Sequence, residues 1–274
     1  AGRLQVVVND SRAAHAKICQ ALAGDPSQQL ATVGVGGTYG KTVTSLLVRS
    51  ILEAAGHRCG LVGGMGWFDG SASRPLGGNS RGHAKGAWPG GAAGLATILA
   101  YMVDQDCTAG VLEVSREAIA GRCLEGMTFQ AAVATDLGLP HGLPAELAND
   151  GRRALAKLFQ KIRPGGAAIV NADDPMVEVL GGVNLDARRV SYGLNRPSDV
   201  DVSATIERLD SSGARFLLHG FDRTVPVHLR LIGPKQVSHA VAAAAVALAM
   251  EIDLDAVVAG LENVANIAGH LEAV

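Results

Sequence analysis

Gly34-Val35-Gly36-Gly37-Thr38-Tyr39-Gly40-Lys41-Thr42 decides how the rest of the chain is read. The apolar run Leu30 to Val35 before it has the composition of a buried strand. Val43 to Ala55 after it carries apolar residues at 43, 46, 47 and 51, one face of a helix that Gly56 ends. Strand, glycine-rich turn, Lys-Thr and helix in that order form a phosphate cradle. Glycines let backbone N–H groups converge on phosphate oxygens, and the helix N-terminus adds positive potential. In such a cradle Lys41 pairs with the β- and γ-phosphates of ATP and Thr42 ligates Mg2+. The spacing is shorter than in the general P-loop, which places a glycine where this chain has Val35. An incidental Lys-Thr in a βα turn is the bland alternative, and the strand and helix on either side weigh against it.

Working outward, Arg58 to Val62 reads as the next strand and Ala92 to Asp106 as a helix. Between them, Gly63 to Gly94 is rich in Gly, Ser and Arg, a loop long enough to be functional. Arg74, Arg81 and Lys85 lie on it, either facing an anionic substrate or simply solvated. Gly110 to Val114 is a buried strand with Glu113 near its end. In an open α/β sheet ligands collect at that edge, so Glu113 is read as a Mg2+ ligand rather than a structural acid. Ala131 to Thr135, Ala167 to Asn171 and Arg188 to Tyr192 read as further strands. Asn149 to Ile162 reads as a helix stopped by Pro164-Gly165-Gly166, and Ala172-Asp173-Asp174-Pro175 as the start of another. Upstream, Leu4 to Val8 is expected as a strand and Ser11 to Ala23 as a helix capped by Ser11.

From Val200 the period changes. Val200–Leu209, Ala214–His219 and Thr224–Leu231 alternate apolar and polar residues between short turns, an antiparallel meander. The alanine-rich helix Pro234 to Met250 and a short helix Leu254 to Asn263 close the chain. The expectation is one α/β domain: a mostly parallel, P-loop-containing sheet flanked by helices, with a small antiparallel β subregion.

Composition narrows the function classes. Of 274 residues, 48% are apolar, enough for a sizeable core, and a net charge of −2 offers no basic surplus for nucleic acid or an anionic membrane. The 35 glycines with only 4% aromatics suit a nucleotide-binding protein with many βα turns. Cys19, Cys59, Cys107 and Cys123 form no C-x-x-C pair, which favours reduced thiols and a cytoplasmic protein. The longest apolar helical block, Ala240 to Met250, is about half the ~20 residues that a bilayer requires.

The short loop Gly-Thr-x-Gly-Lys-Thr resembles the ATP loop of the Mur ligase and folylpolyglutamate synthetase superfamily, with Tyr39 in place of the usual Asn. Further motifs recur in order. Leu112-Glu113-Val114-Ser115 is similar to the family's Glu-Val-Ser-Ser-His, and Arg122, Gly126 and Phe129 fall where the family has Arg, Gly and Phe. Thr135-Asp136-Leu137 takes the place of Thr-Asn-Leu, and Asn171-Ala172-Asp173-Asp174-Pro175 matches fully. Val237 and Ala240 begin a segment similar to His-Asn-Val-x-Asn-Ala, and Gly260-Leu261 and Gly269-His270-Leu271-Glu272 resemble the closing motifs. The resemblance runs from about residue 30 to 274. It is nearest the class that adds the third amino acid to a UDP-muramoyl dipeptide, with cyanophycin synthetase as a cousin.

The resemblance implies an ATP-dependent acid–amino-acid ligase of peptidoglycan synthesis that works through an acyl-phosphate. Its implied partners are ATP, a UDP-muramoyl-peptide-like substrate and an amino acid. It assigns nucleotide binding to Gly36, Gly37, Thr38, Tyr39, Gly40, Lys41 and Thr42, with Gln236 and His239 where the family has adenine-contacting Asn residues. Lys41 and His141 become the catalytic pair; among the metal ligands Thr42 and Glu113 hold one Mg2+ and His141 serves a second. Departures cluster at the same place. Arg116 and Glu117 replace Ser-His, Pro140 replaces the Asp before His141, and His270 replaces an Arg. The family's carbamylated lysine, four residues before Phe159, becomes Leu155, with Lys157 half a turn out of register. Residues 1–25 are expected to be a remnant of an N-terminal domain or linker and 26–274 the ATP-binding domain. A C-terminal ligase domain is expected to be missing, through excision or natural reduction. A non-catalytic nucleotide-binding homologue with a scaffold role is the competing expectation. A plain P-loop kinase finds no support after Thr42.

Overall fold

The computed structural model describes residues 5–74, 90–137, 145–175, 186–195, 198–220 and 222–267. Its elements in chain order are α1 (Ser11–Leu22), α2 (Pro26–Gln29), β1 (Ala31–Gly36), α3 (Lys41–Ala54), β2 (Cys59–Gly63), β3 (Gly66–Phe68) and β4 (Ser73–Arg74). Then come α4 (Gly91–Asp104), β5 (Ala109–Glu113), α5 (Arg116–Ala120), β6 (Phe129–Ala134), α6 (Ala145–Phe159), β7 (Ile162–Asn171) and β8 (Arg188–Gly193). The chain continues with β9 (Val202–Asp210), β10 (Gly213–Gly220), β11 (Arg223–Leu229), α7 (Pro234–Ala249) and α8 (Leu254–Asn263).

The strands form one 11-stranded sheet of order β11-β10-β9-β8-β7-β6-β1-β5-β2-β3-β4. Strands β2, β5, β1, β6, β7, β8 and β9 run parallel; both edges are antiparallel. The meander expected from the alternating segments is therefore an extension of the main sheet, joined through Tyr192↔Val202 and Gly193↔Ser203.

Alternation along the central strands divides the core in two. Val33, Val35, Val111, Ala131, Val133 and Ile169 face one side, where α3, α7 and α8 pack. Leu112, Phe129, Ala132, Ala134 and Val170 face the other, covered by α4, α5 and α6. On that second face β1 presents Gly34 and Gly36. A Cβ at either would overlap Leu158, and at Gly36 also Leu155, so the glycines let α6 lie directly against the strand. The small alanines of α7, from Ala242 to Ala245, are buried for the same reason of close approach.

Several expectations need correction. Residues 5–8 are not a strand; Val6, Val7 and Val8 are exposed and pair with nothing among the described residues. Asp10, not Ser11, caps α1, its carboxylate accepting from Arg12 N and Ala13 N. The stretch after Gly63 is not all loop. Trp67, Phe68, Ser73 and Arg74 build β3 and β4, and Asp69, with its side chain enclosed, ties their turn to Ser71, Ala72 and Arg74. Pro164-Gly165-Gly166 lies within β7 rather than ending a helix, because α6 already stops at Phe159. The short helix α5 was not expected. Arg81, Lys85, His141, Gly269 and His270 lie outside the described residues, as does the helix expected after Pro175.

Candidate functional site

The site lies at the C-terminal edge of the sheet, where β1 and β5 run side by side with Val35 opposite Glu113. Gly37 (φ +140°) and Gly40 (φ +81°) hold backbone conformations that L side chains rarely adopt, so the turn requires glycine there. A Cβ at Gly40 would overlap the His239 ring, and one at Gly37 would overlap the Thr135 hydroxyl. The loop is braced from beneath. Thr135 Oγ1 lies within hydrogen-bond distance of Tyr39 O (2.7 Å) and Gly36 O (3.0 Å), its one proton shared between them, while Thr38 N and Tyr39 N donate to Asp136 O (2.8 and 3.1 Å).

Lys41 opens α3 and folds back over the loop, donating from Nζ to Gly37 O (2.9 Å) and Thr38 O (3.2 Å). Burial holds its ammonium below the usual lysine range, Glu113 and Glu117 pull it back up, and Arg116 pushes it further down. A phosphate in the loop would compete for that ammonium with two neutral carbonyls at hydrogen-bond distance and with the longer-range pull of Glu113 and Glu117. Beside it, Thr42 Oγ1 donates to Glu113 Oε2 at 3.0 Å. Glu113 is only 8% exposed, and β2 ends in glycine where a Cβ at Gly63 would overlap its carboxylate. The hydroxyl and the carboxylate are thus oxygen donors placed together at the helix start, the donor set that a hard divalent cation takes. Among the described residues no group of three His, Cys, Asp or Glu side chains forms a metal cage. A cation here would complete its shell with phosphate oxygens and water.

From Asp136, just past β6, a cavity of about 450 Å³ runs over the ends of β7 and β8 to the start of α7. Its walls include Asn171, Asp173, Tyr192, Asn195, Lys235 and His239. His239 Nδ1 lies 3.2 Å from Gln236 Oε1, so the two residues singled out in the sequence meet at the base of α7. Asp173 accepts from Leu194 N (2.6 Å) and Asn195 N (3.1 Å), and Asp174 from Leu137 N (2.7 Å). Burial pushes the Tyr192 phenol up, keeping it neutral while it donates to Ala134 O at 3.1 Å. Lys235 Nζ reaches Asp136 Oδ2 at 3.0 Å and so ties α7 to the residue that braces the loop.

The structure brings together Gly36 to Thr42, Glu113, Gln236 and His239; Tyr39 stands half-exposed at the rim. The braces Thr135 and Asp136 and the Lys235 tie went unassigned in the sequence, since main-chain acceptors and cross-sheet pairs leave no spacing signal; only the Thr-Asp-Leu motif marked the segment. Leu155, aligned with the family's lysine position, does sit against the loop, buried beside Gly36, whereas Lys157 is exposed on the outer side of α6.

Residues 35–247 match the Mur ligase middle domain family. The chain belongs to that family. It is 30% identical over 272 residues to the UDP-N-acetylmuramoyl-L-alanyl-D-glutamate–2,6-diaminopimelate ligase of Halalkalibacterium halodurans, covering 98% of this chain and 54% of that protein. The enzyme of the same name from Chlorobium phaeobacteroides is 29% identical, with 97% and 51% covered. A solved 2,6-diaminopimelate ligase structure superposes with a TM-score of 0.80 at 23% identity over 96% of this chain and 53% of that one. Mycobacterium tuberculosis folylpolyglutamate synthase, solved with ADP and AMPPCP, gives 0.70 at 21% identity, with 95% and 64% covered. The likeness to these structures is one of fold. This Mur ligase middle domain thus spans about half the length of the curated relatives it matches. Among its described residues, no helix is long and apolar enough to cross a membrane.

Proposed function

We propose that this Mur ligase middle domain binds ATP with Mg2+ at the β1–α3 loop. It would serve as the ATP-binding part of an acid–amino-acid ligase acting on a UDP-muramoyl-peptide-like substrate in peptidoglycan synthesis. The observation that carries the reading is the contact between Thr42 Oγ1 and Glu113 Oε2 at the start of α3, next to Lys41. The names of the curated relatives support the substrate class.

The loop N–H groups other than those of Thr38 and Tyr39, which Asp136 O accepts, and the Lys41 ammonium hold the phosphates; His239, on the wall of the 450 Å³ cavity, and Gln236 beside it take the base edge. Thr42 and Glu113 hold one Mg2+, with His141 the candidate ligand of a second. When bound, the ion supplies positive charge to the phosphate oxygens. Lys41, released from Gly37 O and Thr38 O, follows the terminal phosphoryl group as it moves to the substrate carboxylate. The incoming amine then attacks the activated acyl carbon and phosphate leaves. Residues 26–274 form the ATP-binding unit and 1–25 belong to a preceding unit or linker. The amino acid is held by a C-terminal domain outside this sequence, and the setting is cytoplasmic.

The test is phosphate release by the full-length protein given ATP, UDP-muramoyl dipeptide and single amino acids. Release that requires both substrates supports the ligase reading. ATP binding with no release across all amino acids would overturn it and favour a non-catalytic homologue.

A further inference from the structure

Tyr39 is the one aromatic side chain in the glycine-rich loop. Its backbone is fixed on both sides. Tyr39 N donates to Asp136 O at 3.1 Å, and the Thr135 hydroxyl lies 2.7 Å from Tyr39 O. The next residue, Gly40, lies against the His239 ring. Asp136 and His239 are both walls of the 450 Å³ cavity, so the Tyr39 side chain is rooted between two of those walls. Yet Tyr39 remains 51% exposed. Among the described residues its ring stacks on no other ring or cation, and its hydroxyl has no hydrogen-bond partner.

A lone exposed aromatic elsewhere on a surface would call for no explanation. Here its root is held at the rim of a cavity that lacks what the ring supplies. The described walls are largely short polar side chains such as Asn171, Asp173, Asn195 and Ser238, which suit hydroxyls and the edge of a heterocycle. Leu194 and Pro234 add apolar surface, and the other aromatic wall, Tyr192, is buried and held by its bond to Ala134 O. A flat heterocycle has two faces besides its edge, and an aromatic ring is the side chain that best covers one.

We propose that the Tyr39 ring stacks on the heterocyclic base of the bound nucleoside triphosphate and closes the loop end of the cavity over it. The inference rests on the nucleotide reading above. Stacking uses the face of the base and leaves its edge to Gln236 and His239. Because the Tyr39 backbone is already pinned, binding orders only two side-chain torsions, a small entropic cost for a large contact. A polyphosphate without a base gains nothing from the ring.

The experiment is calorimetric titration of this chain and of its Tyr39→Ala and Tyr39→Phe forms with ATP and with inorganic tripolyphosphate, both in Mg2+. Proton NMR of the adenine H2 and H8 signals accompanies it. Tyr39→Ala should weaken ATP by roughly 5- to 100-fold and leave tripolyphosphate within about twofold of native, while Tyr39→Phe keeps ATP near the native affinity. The adenine protons should shift upfield on binding to the native chain and to Tyr39→Phe, and less on binding to Tyr39→Ala. Equal ATP binding by native and Tyr39→Ala, or an equal loss of ATP and tripolyphosphate in Tyr39→Ala, would overturn the inference while leaving the nucleotide reading standing. So would a loss of ATP affinity in Tyr39→Phe as large as in Tyr39→Ala. A native chain that binds neither ligand would overturn both.

Discussion

Glu113 carries an unusual load for one side chain. It is nearly buried, it accepts the Thr42 hydroxyl, and it faces the glycine end of β2. A buried carboxylate is costly to keep charged unless positive charge compensates it. Glu113 and the Lys41 ammonium attract one another, and a divalent cation would add to that compensation. Glu113→Gln keeps the shape and an oxygen that can accept from Thr42 while removing the charge. The expected outcome is a MgATP affinity lower by roughly tenfold or more, with metal-free ATP binding unchanged or slightly tighter, read from titrations with and without EDTA. An unchanged Mg2+ dependence would remove Glu113 from the metal site.

At the scale of elements, much of the architecture was readable because two signals coincide. Leu30 to Val35 followed by glycines and then the 43-46-47-51 face has a period switch and a turn chemistry that admit one reading, and β1 and α3 are where that reading puts them. The meander was legible for the same reason. Misplaced elements lacked one of the signals. Val6-Val7-Val8 has strand composition, but a strand needs a neighbour, and composition does not supply one. Pro164-Gly165-Gly166 has stop composition but lies at the start of β7, where β6 shifts register to accommodate it. The five-residue α5 is too short to show a period, so Arg116 was noted as a departure without its place beside the loop being visible. The site's carboxylate and helix residues were legible through strand ends and motifs; its braces were not, because Asp136 acts through a carbonyl. Helix packing gives the element-scale prediction. Gly260 of α8 lies against α3, where an added methyl would overlap the Ile51 backbone, and Ser50 Oγ donates to Gly260 O at 2.7 Å. Helix propensity alone would reward Gly260→Ala with about 1 kcal/mol. The overlap is with backbone, which cannot swing aside, so overpacking wins and a net loss of about 1–3 kcal/mol is expected in urea unfolding. A stabilised variant would mean that α8 sits further from α3.

For the whole molecule, the sheet brings three separate parts of the sequence to one edge. The loop after β1, Glu113 at the end of β5 and the first turn of α7 are distant in the chain and adjacent in space. Cores on both faces fix that edge: α3 and α7 share one core, and α6 presses on Gly34 and Gly36 from the other. A nucleotide site built this way is made wholly within this domain, so this chain should bind nucleotide by itself. Calorimetric titration of this chain and of Lys41→Ala with ATP, in the presence and absence of Mg2+, tests that claim most directly. The account predicts micromolar binding by the native chain that is strengthened by Mg2+ and weakened by roughly 100-fold in Lys41→Ala. Equal affinity in the two proteins, or no binding by the native chain, would contradict it.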